Sequence, residues 1–179
     1  VWLRTTTSPQ HIVEANHFLF SMIDIIRECY PQASIVHIIR DGRGFVKSAL
    51  NKGFYSEKDF RPRLRGDTFE SMTTETWEKM NRIERLGWLW TTVNEYIEGQ
   101  HPDLTVHFED LFDTNHTGIK HICEETNLPY DPQITNELLS DKINTTKRDL
   151  FTSFGELPSR LQESFWSQAE HAMTKYGYS

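Results

Sequence analysis

With 179 residues, of which 37% are hydrophobic and 12% aromatic, the chain is long enough for one domain with a sizeable core. Its net charge of -7 disfavours a general nucleic-acid binder, which would carry a basic field, and no apolar run approaches the length of a membrane span. Two distant cysteines, Cys29 and Cys123, make no disulfide framework, so a reducing, cytoplasmic setting is expected, although a single bridge stays open.

The opening "VWLRTTTSPQ" lacks Met, a basic region and an apolar core, so it reads as neither a signal peptide nor a natural start. The expectation is a piece of something longer. From about Glu14 to Cys29, Phe18, Leu19, Met22, Ile23 and Ile26 recur at helical spacing, and Tyr30-Pro31 stops the run. "ASIVHIIR" follows, nearly continuous in β-branched residues. It predicts a strand buried on both faces, as in a parallel sheet. "GRGFVKSALNKG" predicts a short helix closed by Gly53.

Residues 54–76 are polar, charged and without a period, so a lid or acceptor loop is expected there. A long helix is predicted from Trp77 to Gly99, a second strand from Leu104 to Phe108, then helices over 115–129 and 132–142. Residues 143–157 look irregular, and a final helix starts beside Pro158 and ends in "YGY". Alternating strands and helices imply an α/β class with a parallel sheet, in one domain spanning 1–179. Two strands are few for a doubly wound sheet, which again implies missing sequence. No internal repeat is present, and the oligomeric state is not legible.

The chemistry concentrates where the first strand ends. Ligands of open α/β sheets sit outside the carboxyl ends of the strands, and Arg40 stands there. The next helix starts near Gly42 or Arg43, and a helix N-terminus with free N–H groups carries about half a positive charge. Gly42 and Gly44 permit close backbone approach, Arg40 can present a bidentate fork, and Ser48 can add a hydroxyl. The pattern points to phosphate, held by Arg40, Gly42, Arg43 and Ser48. The plainer alternative is that Arg40 and Asp41 merely close a strand and Arg43 is solvated.

"SIVHIIRDGRGFVKSAL" resembles the 3′-phosphate-binding segment of PAPS-dependent sulfotransferases. In that family a strand ends in Arg-Asp-(Gly or Pro)-Arg and the next helix supplies a serine; the matching positions are Arg40 and Ser48. The upstream "CYPQASIVHIIRDGR", the Trp-rich helix, "VHFEDL" and "KYGY" are also similar to family segments. The resemblance implies a P-loop NTPase-like three-layer sandwich, here incomplete at its N-terminus. It implies PAPS as donor, no metal, and a small-molecule or glycan acceptor with a hydroxyl or amine. One family signature, a Pro-Lys-Ser-Gly-Thr-Thr loop around the 5′-phosphosulfate, has no counterpart in "LRTTTSPQ". Either the chain begins after that loop or it is a degenerate, non-catalytic relative.

By the family's layout, the acceptor-side base falls near "VEANHF", so Glu14 and His17 are the candidates, with His11 in reserve. A helix start with a solvated His17 is the alternative. Lys147 and Arg148 fall where a late family loop reaches the 3′-phosphate, or they are simply solvated. Arg61, Arg63 and Arg65 in the long polar loop either meet an anionic acceptor or only solvent, and solvent is the expectation. The scattered histidines suggest no metal site, and Trp77, Trp88 and Trp90 read as core. Two rival functions stay open: a small-molecule kinase or other phosphate-handling enzyme, and a non-catalytic nucleotide-binding or interaction module.

Overall fold

The computed structural model describes residues 11–69, 71–140 and 153–178. Its first helix is shorter than the apolar spacing predicts. The Asn16 side chain accepts from the Phe18 N–H at 3.0 Å, and Ser21 Oγ donates to the Phe18 carbonyl. Short polar side chains that bond nearby backbone compete with helix in this way. Residues 14–18 are therefore non-helical, a 3₁₀ turn covers Leu19–Met22, and α1 is Ile23–Cys29.

Strand β1 (Val36–Ile39) pairs in parallel with β2 (Leu104–His107), with Ile38 opposite Val106. The expectation that β1 is buried on both faces does not hold: His37 and Ile39 are buried, but Ile38 is 45% exposed. Helix α4 (Arg82–Gly99) covers the His37 and Ile39 face of β1. Helix α5 (Thr117–Glu125) packs on β2, where Leu104 and Val106 are buried. Ile38 lies on the Val106 side, beyond the reach of that cover. The class is α/β with a small parallel sheet, and both cysteines are free thiols.

The predicted helix from Trp77 onward is two helices. Helix α3 (Thr74–Lys79) ends at Met80, whose ψ of 132° is extended, and α4 restarts behind Asn81. Asn81 caps α4 reciprocally with Glu84: the Asn81 side chain accepts from Ile83 and Glu84 N–H groups, and Glu84 accepts from the Asn81 N–H. Such a capping box satisfies donors that would otherwise be orphaned at a helix start. Arg85 then reaches back to the Trp77 carbonyl at 3.0 Å. The core lies where α2 (Gly42–Asn51), α4 and α7 (Ser159–Lys175) meet. Val46, Leu86, Phe165, Ala169 and Met173 are fully or almost fully buried there, and Trp77, Trp88 and Trp90 are buried as expected.

Helix α6 (Pro132–Ser140) follows α5. Among the described residues, no helix is long and apolar enough to cross a membrane.

Candidate anion-binding site at the end of the first strand

Three contacts fix the chain as it leaves β1. The Tyr178 hydroxyl lies 3.0 Å from the Ile39 carbonyl oxygen and 2.8 Å from a Glu109 carboxylate oxygen, two acceptors for its one proton. Trp90 Nε1 donates to the Arg40 carbonyl at 2.9 Å. Glu109 also accepts from the Asp41 N–H at 3.1 Å. Three consecutive residues are thus held by α4, by the 3₁₀ turn Phe108–Leu111 and by the C-terminal tail. Burial, and then the neighbouring Glu109 carboxylate, push the Tyr178 phenol up, so it stays a donor across the physiological range.

Within this braced turn the Arg40 side chain is exposed but not loose. Its guanidinium carbon sits 4.7 Å from the Phe108 ring centroid, a cation–π contact, and its Nε lies 3.2 Å from where a Cβ on Gly44 would be. Only glycine at 44 leaves that space. No carboxylate among the described residues pairs with the Arg40 guanidinium, which therefore keeps its hydrogen-bonding edge for something else.

The helix start differs in detail from the expectation. Asp41 caps α2 by accepting from the Arg43 N–H at 2.8 Å, and the same carboxylate takes the Arg43 side chain at 2.8–3.0 Å. That hydrogen bond, despite some burial, raises the Arg43 pKa. Arg43 is therefore neither solvated nor an open fork. Gly42 is not a ligand-facing glycine either: a Cβ there would meet Phe165 Cζ at 2.8 Å and Met173 Sδ at 3.0 Å. Its smallness serves the packing of α2 against α7. The Gly44 N–H has no acceptor among the described residues and stands beside the Arg40 guanidinium. Ser48 lies four residues on, hence one turn along the same face, half-buried and with no partner for its hydroxyl among the described residues.

A guanidinium, a free N–H at a helix start and a hydroxyl along one helix face are donors of the kind that small anions accept from. A family profile for sulfotransferases matches residues 2–132. The chain belongs to the sulfotransferase family. The chemistry of that family is sulfuryl transfer, and the braced turn of this sulfotransferase domain lies inside the matched region. No curated protein and no solved structure matches the chain.

Of the other expected site residues, Glu14 and His17 make no contact with this turn among the described residues. Glu14 and His17 sit in the exposed, non-helical stretch before α1, where the His17 ring lies 4.0 Å from that of Phe18. Lys147 and Arg148 lie outside the described residues. Sequence reasoning overlooked Phe108, Glu109, Trp90 and Tyr178 as parts of the site. Their signal was present in the segments "VHFEDL" and "KYGY", which resemble family segments well away from the Arg-Asp-Gly-Arg run.

His37, one residue from the exposed Ile38, belongs to the core. Its Nε2 lies 2.9 Å from Asn94 Oδ1, and Asn94 in turn donates to the Trp90 carbonyl. Burial pulls its pKa down, only partly offset by the Asn94 hydrogen bond, so it is a neutral ring. Among the described residues, no group of His, Cys, Asp and Glu could hold a metal ion.

Proposed function

We propose that this domain binds PAPS by its 3′-phosphate at Arg40, Gly44 and Ser48, and serves transfer of its sulfuryl group to a hydroxyl or amine of a small molecule or glycan. The observation that carries the reading is the unpaired Arg40 guanidinium, seated on Phe108 over the gap at Gly44. An arginine without a carboxylate, pre-oriented by an aromatic ring, loses little freedom when it meets a phosphate. Asp41 and Arg43 neutralise each other, so they shape the turn and leave the anion to Arg40.

Sulfuryl transfer needs alignment of donor and acceptor, stabilisation of charge on the leaving phosphate, and a base for the acceptor proton. Arg40 and Ser48 supply the first by anchoring the nucleotide at its far end. Lys147 and Arg148 are proposed to add positive charge to the 3′-phosphate, and Glu14 or His17 to act as the base. The full P-loop NTPase-like sandwich is the fold this reading expects.

The test is binding of adenosine 3′,5′-bisphosphate to the complete protein by calorimetry. Arg40→Ala is expected to weaken it by about 2 kcal/mol, roughly thirtyfold, the scale of a lost hydrogen-bonded charge contact. Unchanged affinity would remove the phosphate assignment. Glu14→Gln and His17→Ala, assayed for PAPS turnover, separate the two bases. The base is the residue whose loss lowers turnover while nucleotide affinity stays intact; if neither does, the base lies elsewhere.

A further inference from the structure

A second basic cluster lies beyond the far end of α2. Helix α2 has ten residues, so its two ends are roughly 15 Å apart, and this cluster is not the Arg40 site. Tyr55, Trp77 and four arginines surround a cavity of about 180 Å³. Its one acidic lining residue is Asp59, whose side chain is 2% exposed. Asp59 accepts from the Tyr55 N–H, Arg61 Nε and Arg63 Nε at 2.9–3.1 Å. These hydrogen bonds, that of Arg63 foremost, hold its carboxyl far below the usual carboxylate range despite its burial. One carboxylate therefore serves two guanidiniums.

Arg65 is accounted for by Asp67 and Glu78 at the rim. Arg85 donates to the Trp77 carbonyl and stands 3.7 Å from Glu78. Among the described residues four guanidiniums thus face three carboxylates, a positive excess in a chain whose net charge is -7.

Two donors of these residues are buried and, among the described residues, have no acceptor: Arg63 Nη2 and Arg85 Nε. Leaving a charged donor buried without an acceptor is unfavourable, so each of these two cavity-lining arginines has a hydrogen bond left to give. Aromatic rings hold the two groups. Arg63 lies 3.5 Å from the Phe54 ring centroid, and Arg85 lies 5.0 Å from that of Trp77. Rings against the guanidinium faces leave the edges to form hydrogen bonds, the geometry that matches an oxyanion.

We infer that this cavity is a second anion site, which takes a carboxylate, sulfate or phosphate group on the edges of Arg63 and Arg85. The group comes either from an acidic acceptor or from a free anion. The inference does not rest on PAPS binding at Arg40.

The test is calorimetric titration of inorganic sulfate into the complete protein carrying Arg40→Ala, at constant ionic strength against chloride. That background removes the Arg40 anion contact. Saturable binding is expected, and adding Arg85→Lys, which keeps the charge but loses the Nε donor, should weaken it at least tenfold. Arg63→Lys gives the same readout should the first variant fail to fold. Competition by glucuronate upholds the site and assigns it to an acceptor's acidic group. Sulfate binding without competition upholds it as a free-anion site. Sulfate affinity that neither lysine substitution changes, or that equals the response to chloride, overturns the inference.

Discussion

Gly42 and Gly44 sit two residues apart on one helix and have opposite tasks. At Gly42 a methyl group would meet Phe165, Met173 and Trp90 at 2.8–3.2 Å, all in the packed core. Gly42→Ala is expected to destabilise the fold by about 1–3 kcal/mol, the usual cost of overpacking, read as a lower urea midpoint. At Gly44 the atoms nearest to the methyl would be those of the Arg40 guanidinium, from 3.2 Å, and that side chain can move. Gly44→Ala should therefore leave stability unchanged or raise it by up to about 1 kcal/mol, since alanine favours helix. The same change should weaken adenosine 3′,5′-bisphosphate binding several-fold by displacing Arg40 from Phe108. An unaltered affinity would mean that the Arg40 seat does not matter for the nucleotide. The sequence shows both glycines but not which one packs in the core and which one abuts Arg40, because that depends on α7, more than a hundred residues later.

At the scale of elements, what was legible tracks how local the cause is. Strand β1, helix α2 with its stop at Gly53, and α7 lie within a few residues of where their apolar patterns predict; in α2 and α7 those patterns are the packed faces themselves, whereas in β1 His37 is buried and Ile38 exposed. The break at Met80 was hidden, since Trp77, Ile83, Leu86 and Trp90 keep an apolar period across it and only the Asn81–Glu84 cap reveals the restart. The start of α1 was overcalled for the converse reason: the apolar residues are there, but Asn16 and Ser21 bond the local backbone instead. Residues 54–76 gave no period. They contain a 3₁₀ turn at Gly66–Phe69 and the start of α3, and their order comes from ion pairs. Arg61, Arg63 and Arg65 pair with Asp59 and Asp67 and flank Phe54 and Trp77 instead of facing only solvent. Charge alternation signals such pairs only weakly, because it marks a solvated loop equally well.

Across the whole molecule, the site is closed by parts that are far apart in sequence. Tyr178 contributes a single hydroxyl to it, yet that group touches both the end of β1 and Glu109 beyond β2. Tyr176, two residues before, ties the same tail to Glu98 of α4, and His107 bonds the Tyr176 carbonyl. Tyr178→Phe is expected to cost roughly 1 kcal/mol of stability, the net worth of an ordinary hydrogen bond. It should also lower nucleotide affinity by loosening the Arg40 turn. Thermal unfolding read alongside calorimetry checks this, and a stability loss with affinity intact would show that the tail braces the fold without tuning the site. The resemblance of "KYGY" to a family segment was visible in the sequence; that its last tyrosine reaches back to Ile39 was not, because 139 residues intervene.

That separation sets an order of events during synthesis. Chains emerge at about 5–20 residues per second, so Tyr178 is made on the order of ten seconds after Ile39. Throughout that interval the β1 end and the Arg40 turn lack their clamp. The nascent domain can collapse around α2 and α4, but the braced form of the Arg40 turn must wait for Tyr178 to arrive.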